Sequence, residues 1–327
     1  MMMKKRMKFS LLSLSLLGII FFGFLFTAVS ASTTYQLGLT KSTDVYTVIQ
    51  YDDDGWKATI NPASNSREYF EGNANVTGAK SKQTIKGWTD KTYSTYDALI
   101  ELYFSFIEYG LWNSNLVNLT AAKYNETTIN ANYTNTYNAW YGTSAEWWFT
   151  DGEFEEKPNI TLSPIIIMKD PSDYKSILDD CNALIKDIST NSAINMSDIA
   201  RTQFSTISNK TADDFLWQLV FYGFAVAPPE AGYIDEVVTE LVCINTTASG
   251  STLIFEKTGV TDYTVEISYG SKGTLSNFVV KDDVGEIIYQ ITSSNADWIF
   301  FTILISFIAC SVVIVTYVII KNRKLKK

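Results

Sequence analysis

Between Trp298 and Ile320 the chain runs for 23 residues without a charged side chain. A helix of that length is roughly 35 Å long, enough to cross a hydrocarbon layer. Soluble cores rarely hold an uncharged helix this long, so the run predicts a transmembrane helix. Trp298 stands at one edge and Tyr317 near the other, as rings at a membrane–water interface do. Lys321, Arg323, Lys324, Lys326 and Lys327 follow at once. A basic flank of this kind stays on the cytoplasmic side.

The other end carries a second apolar segment. Lys4, Lys5, Arg6 and Lys8 precede an apolar run from Phe9 to Phe26, and small residues come next. That order predicts a secretory signal, with Ala28-x-Ser30 or Val29-x-Ala31 as the cleavage register. An uncleaved signal anchor is the rival, because the run is long for a signal peptide. Either way both basic flanks stay inside. The layout is then 1–31 signal peptide, 32–297 extracellular domain, 298–320 transmembrane helix and 321–327 basic cytoplasmic tail. The expected location is the cell membrane, with the bilayer as one partner through 298–320.

Charge and sequons agree with that partition. Nine of the 26 basic residues flank the two apolar segments, leaving 17 against 35 acids between them, a net charge of −18. Such a surface excludes nucleic acid as a partner and suits cations, cationic partners or solubility. Asn-x-Ser/Thr acceptors stand at Asn75, Asn118, Asn125, Asn132, Asn159, Asn195, Asn209 and Asn245. All eight fall in the segment assigned to the outside, which predicts N-glycosylation there. Three of them recur every seven residues within 118–134. That stretch is rich in Thr and Asn, poor helix formers, so it reads as an exposed loop.

Periodicity predicts an α+β fold. Val45, Thr47, Ile49 and Tyr51 alternate, as do Trp56, Ala58 and Ile60, and the "DDDG" between them reads as a hairpin turn. Ser94 and Asp97 have capping-box spacing and open an apolar-periodic run through Leu111. Residues 137–171 read as extended segments, broken by Pro158 and Pro164. Tyr174, Ile177, Leu178, Cys181, Leu184, Ile185 and Ile188 form the clearest helical stripe. A short helix over 197–207 follows, and then a helix opened by Thr211 and Asp214 in capping-box spacing, which stops before Pro228-Pro229. From Val237 five strand-like runs, "VVTELVCI", "TLIFEK", "DYTVEISY", "TLSNFVVK" and "EIIYQIT", predict an antiparallel meander. The simplest assembly is one antiparallel sheet, made of the N-terminal hairpin and the five-strand meander, with a helical middle section against it.

Few residues suggest chemistry. The sequence contains no histidine, which removes Ser-His-Asp and Cys-His catalysis and histidine zinc sites. Cys181 and Cys243 are the only cysteines outside the membrane run. They could pair in an oxidising exterior or pack as small hydrophobes. Asp52, Asp53 and Asp54 hint at a surface cation site, but an EF-hand frame through Gly55 puts Gln50 and Asn61 where acids belong. Ser172-x-x-Lys175, Ser189-x-Asn191 and Lys257-Thr258-Gly259 resemble the motif set of serine penicillin-binding proteins and β-lactamases. One helix would separate Ser172 from Ser189 by about 25 Å, so they cannot share a pocket. The aromatics Trp140, Tyr141, Trp147, Trp148 and Phe149 suit either a core or a recognition surface.

The layout resembles C-terminally anchored, N-glycosylated surface proteins of archaea, particularly Asgard-type lineages. The features are "MKKRMKF" with a long apolar signal, an acidic Asn/Thr-rich ectodomain, "YDDDGWKATI" soon after the signal, and the "KNRKLKK" tail. The activity of that family is generally unknown, so nothing catalytic carries over. The expectation is a cell-surface ectodomain with a structural or binding role, with other surface proteins or glycans as partners and no cofactor. A carboxylate-based hydrolase and a half-barrel carrying a lipid or other hydrophobic ligand are the alternatives.

Overall fold

The computed structural model describes residues 34–38, 41–63, 77–102, 123–150, 153–156, 163–191, 209–221 and 223–293. The chain divides into two compact units, Met1–Thr34 and Tyr35–Lys327, and the described residues belong to the second, Thr34 excepted. Among them no helix is long and apolar enough to cross a membrane. The run Trp298–Ile320, the signal segment and the 197–207 helix lie outside the described residues.

The fold is α+β, built on a large curled antiparallel sheet. In chain order its strands are β1 (Thr43–Tyr51), β2 (Lys80–Ser94), β3 (Thr136–Thr150), β4 (Glu153–Glu156), β5 (Ser163–Met168), β6 (Thr246–Ser249), β7 (Thr252–Thr258), β8 (Asp262–Tyr269), β9 (Leu275–Lys281) and β10 (Ile287–Ser293). The spatial order is β4-β3-β2-β1-β10-β9-β8-β7-β6, with β5 also paired to β3. The N-terminal strands and the C-terminal meander therefore join through β1 and β10, as the simplest assembly requires.

Alternation sets the two faces of the C-terminal half. Leu253, Ile267, Phe278, Ile291 and Val48 pair into one apolar row, and Phe255, Val265, Val280, Tyr289 and Tyr51 into the next. On the opposite face Ser249, Thr252, Ser268, Asn277, Thr292, Thr47 and Lys80 form a polar row across seven strands. Neighbours in that row bond to each other. Thr252 and Ser268 hydroxyls lie 2.8 Å apart, and the Thr292 hydroxyl donates to Asn277 Oδ1 at 3.1 Å.

Among the described residues six helices accompany the sheet: α1 (Asp53–Thr59), α2 (Thr95–Leu102), α3 (Glu126–Asn132), α4 (Asp173–Thr190), α5 (Ala212–Phe221) and α6 (Glu230–Leu241). Aromatic contacts fasten several of them to the apolar rows. Trp56 of α1 meets Tyr289 edge-on at 5.8 Å, and Trp217 of α5 meets Phe255 at 4.9 Å. Phe224 bridges Tyr174 of α4 and Tyr269 of β8. Burying a side chain of this size stabilises by about 2–3 kcal/mol. The expected stripe of α4 is buried in full, from Tyr174 to Ile188.

Three expected elements differ. The "DDDG" segment is not a hairpin turn: Asp52 caps α1 by accepting the Gly55 N–H at 3.0 Å, and Trp56 enters the core on that helix. The run Val237–Ile244 is not a strand, since Tyr233, Ile234, Val237 and Leu241 are buried at helical spacing on α6. The strand begins later, at Thr246, and the meander keeps its five strands.

The stretch 118–134 is not all loop. Asn125 caps α3, its Oδ1 accepting the Thr128 N–H at 3.0 Å, and Ile129 is buried. The Asn130 side chain also accepts the Tyr96 N–H at 3.1 Å. Local bonding and burial here outweigh weak propensity. Asn125→Ala should cost about 1 kcal/mol through loss of the cap, while Asn125→Asp keeps the acceptor and should cost far less. Both substitutions abolish the sequon. Paired thermal melts of the two variants would separate cap from sugar; equal losses would refute the capping role.

Candidate functional surface

Four of the eight sequon asparagines lie in described residues. Asn125, Asn132, Asn209 and Asn245 are all exposed, and none sits inside a strand. Asn125 and Asn132 bracket α3. Asn209 lies just before α5, and Asn245 lies between α6 and β6. Asn75, Asn118, Asn159 and Asn195 lie outside the described residues.

Asn245 is the most firmly placed of the four. The carboxylate of Asp213, buried at the start of α5, accepts the N–H groups of Ile244 and Asn245, each at 3.0 Å. The carbonyl of Asn245 accepts the Glu256 N–H at 2.8 Å. Sequence reasoning found Thr211 and Asp214, whose capping bonds are present at 2.8 and 3.0 Å. It passed over Asp213 between them.

The three acids of "YDDDGW" do not converge on a cation. Asp52 is the cap of α1, and Asp53 accepts from Tyr51 and Lys57, each at 2.6 Å. The bond from Lys57 holds the Asp53 carboxyl below its ordinary range. Among the described residues no cluster of acids or cysteines is arranged to hold a metal. Cys181 and Cys243 are not joined in the structure. Cys181 packs in the α4 stripe. Burial, reinforced by Asp213, pushes the half-buried Cys243 thiol up to about 12, which leaves little thiolate to react.

The penicillin-binding-like strings also stay apart. Ser172 and Ser189 stand at opposite ends of α4. Ser172 donates its hydroxyl to Asp170 at 2.7 Å instead of capping the helix, and Lys175 pairs with Asp179. Lys257 lies over the Trp217 ring at 4.6 Å, and Thr258 bonds Asp262 across the β7–β8 turn. Of the candidate aromatics, Trp140 and Tyr141 pack against the core. Trp147 lies with Lys82 and Lys86 at 4.4 and 5.0 Å from its ring. The side chains of Trp148 and Phe149 lie outside the described residues.

Two further acids define local chemistry. Asp180 accepts from Tyr137 at 2.7 Å and from Thr95 and Asn135, each at 3.1 Å. Its signal was its place beside the α4 stripe, three residues after Ile177 and four before Leu184. Asp173, in the first turn of α4, is raised to about 6 by burial and then by Asp170, while the Asn138 N–H holds it down.

Because folding raises that pKa, the native state binds the extra proton. Stability is full below about pH 4 and falls as pH rises toward 6. Asp173→Asn keeps an acceptor for Asn138. It should gain about 1–2 kcal/mol at pH 7, after allowance for solvent and the helix dipole, and nothing at pH 4. Thermal melts across that range check it, and a gain independent of pH would contradict the assignment.

No family model matches the chain, nor does any curated protein or solved structure.

Proposed function

We propose that the protein is a membrane-anchored cell-surface glycoprotein whose ectodomain serves a structural or binding role, of the kind its layout resembles in archaea. The observation that carries the reading is the exposure of Asn125, Asn132, Asn209 and Asn245 on helix ends and loops, where a transferase can reach them and a sugar can project. The acidic segment between two basic-flanked apolar runs supports it independently. The half-buried Asp180 gives Oδ2 to three structural donors, and the buried Asp213 gives both oxygens to main-chain N–H groups, which favours a scaffold over a carboxylate-based hydrolase. One feature favours the hydrolase, the raised carboxyl of Asp173 beside Asp170, since a general acid needs such a shift. The lipid-carrying half-barrel is disfavoured where Trp56, Trp217 and Phe224 fill the apolar face.

Protease shaving of intact cells, with mass mapping of the released peptides, tests the reading. Peptides from 32–297 should be released, some bearing sugar on asparagine. A protected segment with unmodified asparagines would overturn it.

A further inference from the structure

β10 ends at Ser293, which pairs with Tyr46 of β1. Only residues 294–297 separate it from Trp298, where the apolar run begins. Five Cα steps reach at most about 17 Å when fully extended. A bilayer entered at Trp298 therefore lies within that distance of the end of β10. The register shows what surrounds this end. Thr292, Asn277, Ser268 and Thr252 share one row, so the β8–β9 and β6–β7 turns lie at the same end of the sheet as Ser293. The chain leading into β1 lies there too. A Cβ on Gly38 would stand 3.4 Å from the Lys272 carbonyl oxygen, and the Ser42 carbonyl accepts the Ile85 N–H at 2.8 Å.

The two ends of the sheet differ in charge. At the Ser293 end, residues 38, 41–42, 250–251 and 270–274 include no acid, and their two lysines, Lys41 and Lys272, are exposed. Of the acids close by in the chain, Asp44 is buried and Glu230, two residues after Pro228, is half-buried. At the other end, the start of α1 and the β7–β8 and β9–β10 turns (52–54, 258–262 and 282–286) hold seven acids and no base. A segment of net charge −18 would place acids at both ends if they were spread evenly. The described sequon asparagines also avoid the lysine end. Asn245, for one, precedes Thr246, whose partner Phe255 lies three residues along β7 from Thr252 toward the acidic end.

We infer that the Ser293 end of the sheet is a docking surface for the bilayer, with the Lys41 and Lys272 ammonium groups on anionic phosphate headgroups and the acidic end held away from them. The inference rests on the membrane-anchored reading. Chain length brings this end to the headgroups, and the sign of its charge makes the contact attractive. A lysine close to an anionic bilayer strengthens association about fivefold, so two would hold a free domain only weakly. Here the short linker makes the contact intramolecular, at high effective concentration. The same headgroups repel the seven acids, which opposes the domain lying down with its strands along the membrane.

The full chain, reconstituted into vesicles of equal parts zwitterionic and anionic phospholipid, is the test material. Ser271→Cys puts a thiol beside Lys272, and Val284→Cys puts one in the β9–β10 turn at the acidic end; both positions are exposed. Each thiol carries a fluorophore, and phospholipid with a nitroxide on its headgroup quenches it at short range. Labelled wild type corrects for the native cysteines. Quenching should be several-fold stronger at 271 than at 284. Lys41→Gln combined with Lys272→Gln should reduce it several-fold at 271, and high salt or purely zwitterionic vesicles should do the same. Equal quenching at the two sites overturns the docking surface and leaves the anchored reading standing. Quenching at 271 that ignores the lysines, salt and lipid charge does the same. A chain that stays in solution and does not float with the vesicles overturns both.

Discussion

Gly273→Ala should unfold the protein at a temperature about 10 °C lower than wild type, a loss of about 4 kcal/mol. Gly273 has φ of +79°, and a Cβ there would stand 1.8 Å from the carbonyl oxygen of Val226. The two main chains approach because Val226 donates its N–H to the Gly273 carbonyl at 2.9 Å. No rotamer relieves a clash with a backbone oxygen. The β8–β9 turn would have to withdraw and release the 224–227 segment, whose four residues are all buried. Gly285 supplies the control. Its φ is +87°, but nothing lies within 4 Å of a Cβ there, so Gly285→Ala should cost only about 1 kcal/mol of backbone strain. Equal losses at the two sites, measured by thermal melts in detergent, would refute the close approach.

Asp180→Ala is the second large effect, with an expected loss of about 3 kcal/mol. One carboxylate ties α4 to Thr95 at the start of α2, to Asn135 and to Tyr137 of β3. Truncation leaves the buried Tyr137 hydroxyl facing a void, while the Thr95 hydroxyl keeps only the Asn135 carbonyl, 3.3 Å away. Burial already pushes the Tyr137 hydroxyl above its ordinary range, and Asp180 raises it further, so the phenol stays a donor. Asp180→Asn keeps an acceptor and should lose roughly half as much. In a double-mutant cycle, Tyr137→Phe should cost much less when Asp180 is already Ala. Strict additivity would remove the direct coupling.

Legibility in the sequence follows the range of the interaction. The period-2 rows of β7 to β10, the stripe of α4 and the capping pairs Ser94/Asp97 and Thr211/Asp214 rest on local spacing and were readable from it. "DDDG" was ambiguous on physical grounds. An aspartate accepting an N–H three residues on serves a turn or a helix cap alike, and the packing of Trp56 on Tyr289, distant in sequence, decides. The β-branched run Val237-Val238 looked like a strand because propensity is a weak term. The face buried by Tyr233 and Ile234 outweighs it. Asp180 and Asp213 were the least legible, since their partners lie up to 85 residues away in the chain. The exposure of Asn245 was implied by its sequon, but its pinned backbone was not.

β10 is the strand from which the chain continues toward residue 298, and it lies mid-sheet between β1 and β9. Any pull transmitted through residues 294–297 therefore enters along an interior strand. A rim strand under tension unzips one bond at a time, but an interior strand drawn lengthwise must shear two ladders at once. A tether attached at that end would be rooted in an interior strand, where the sheet resists traction along its strands.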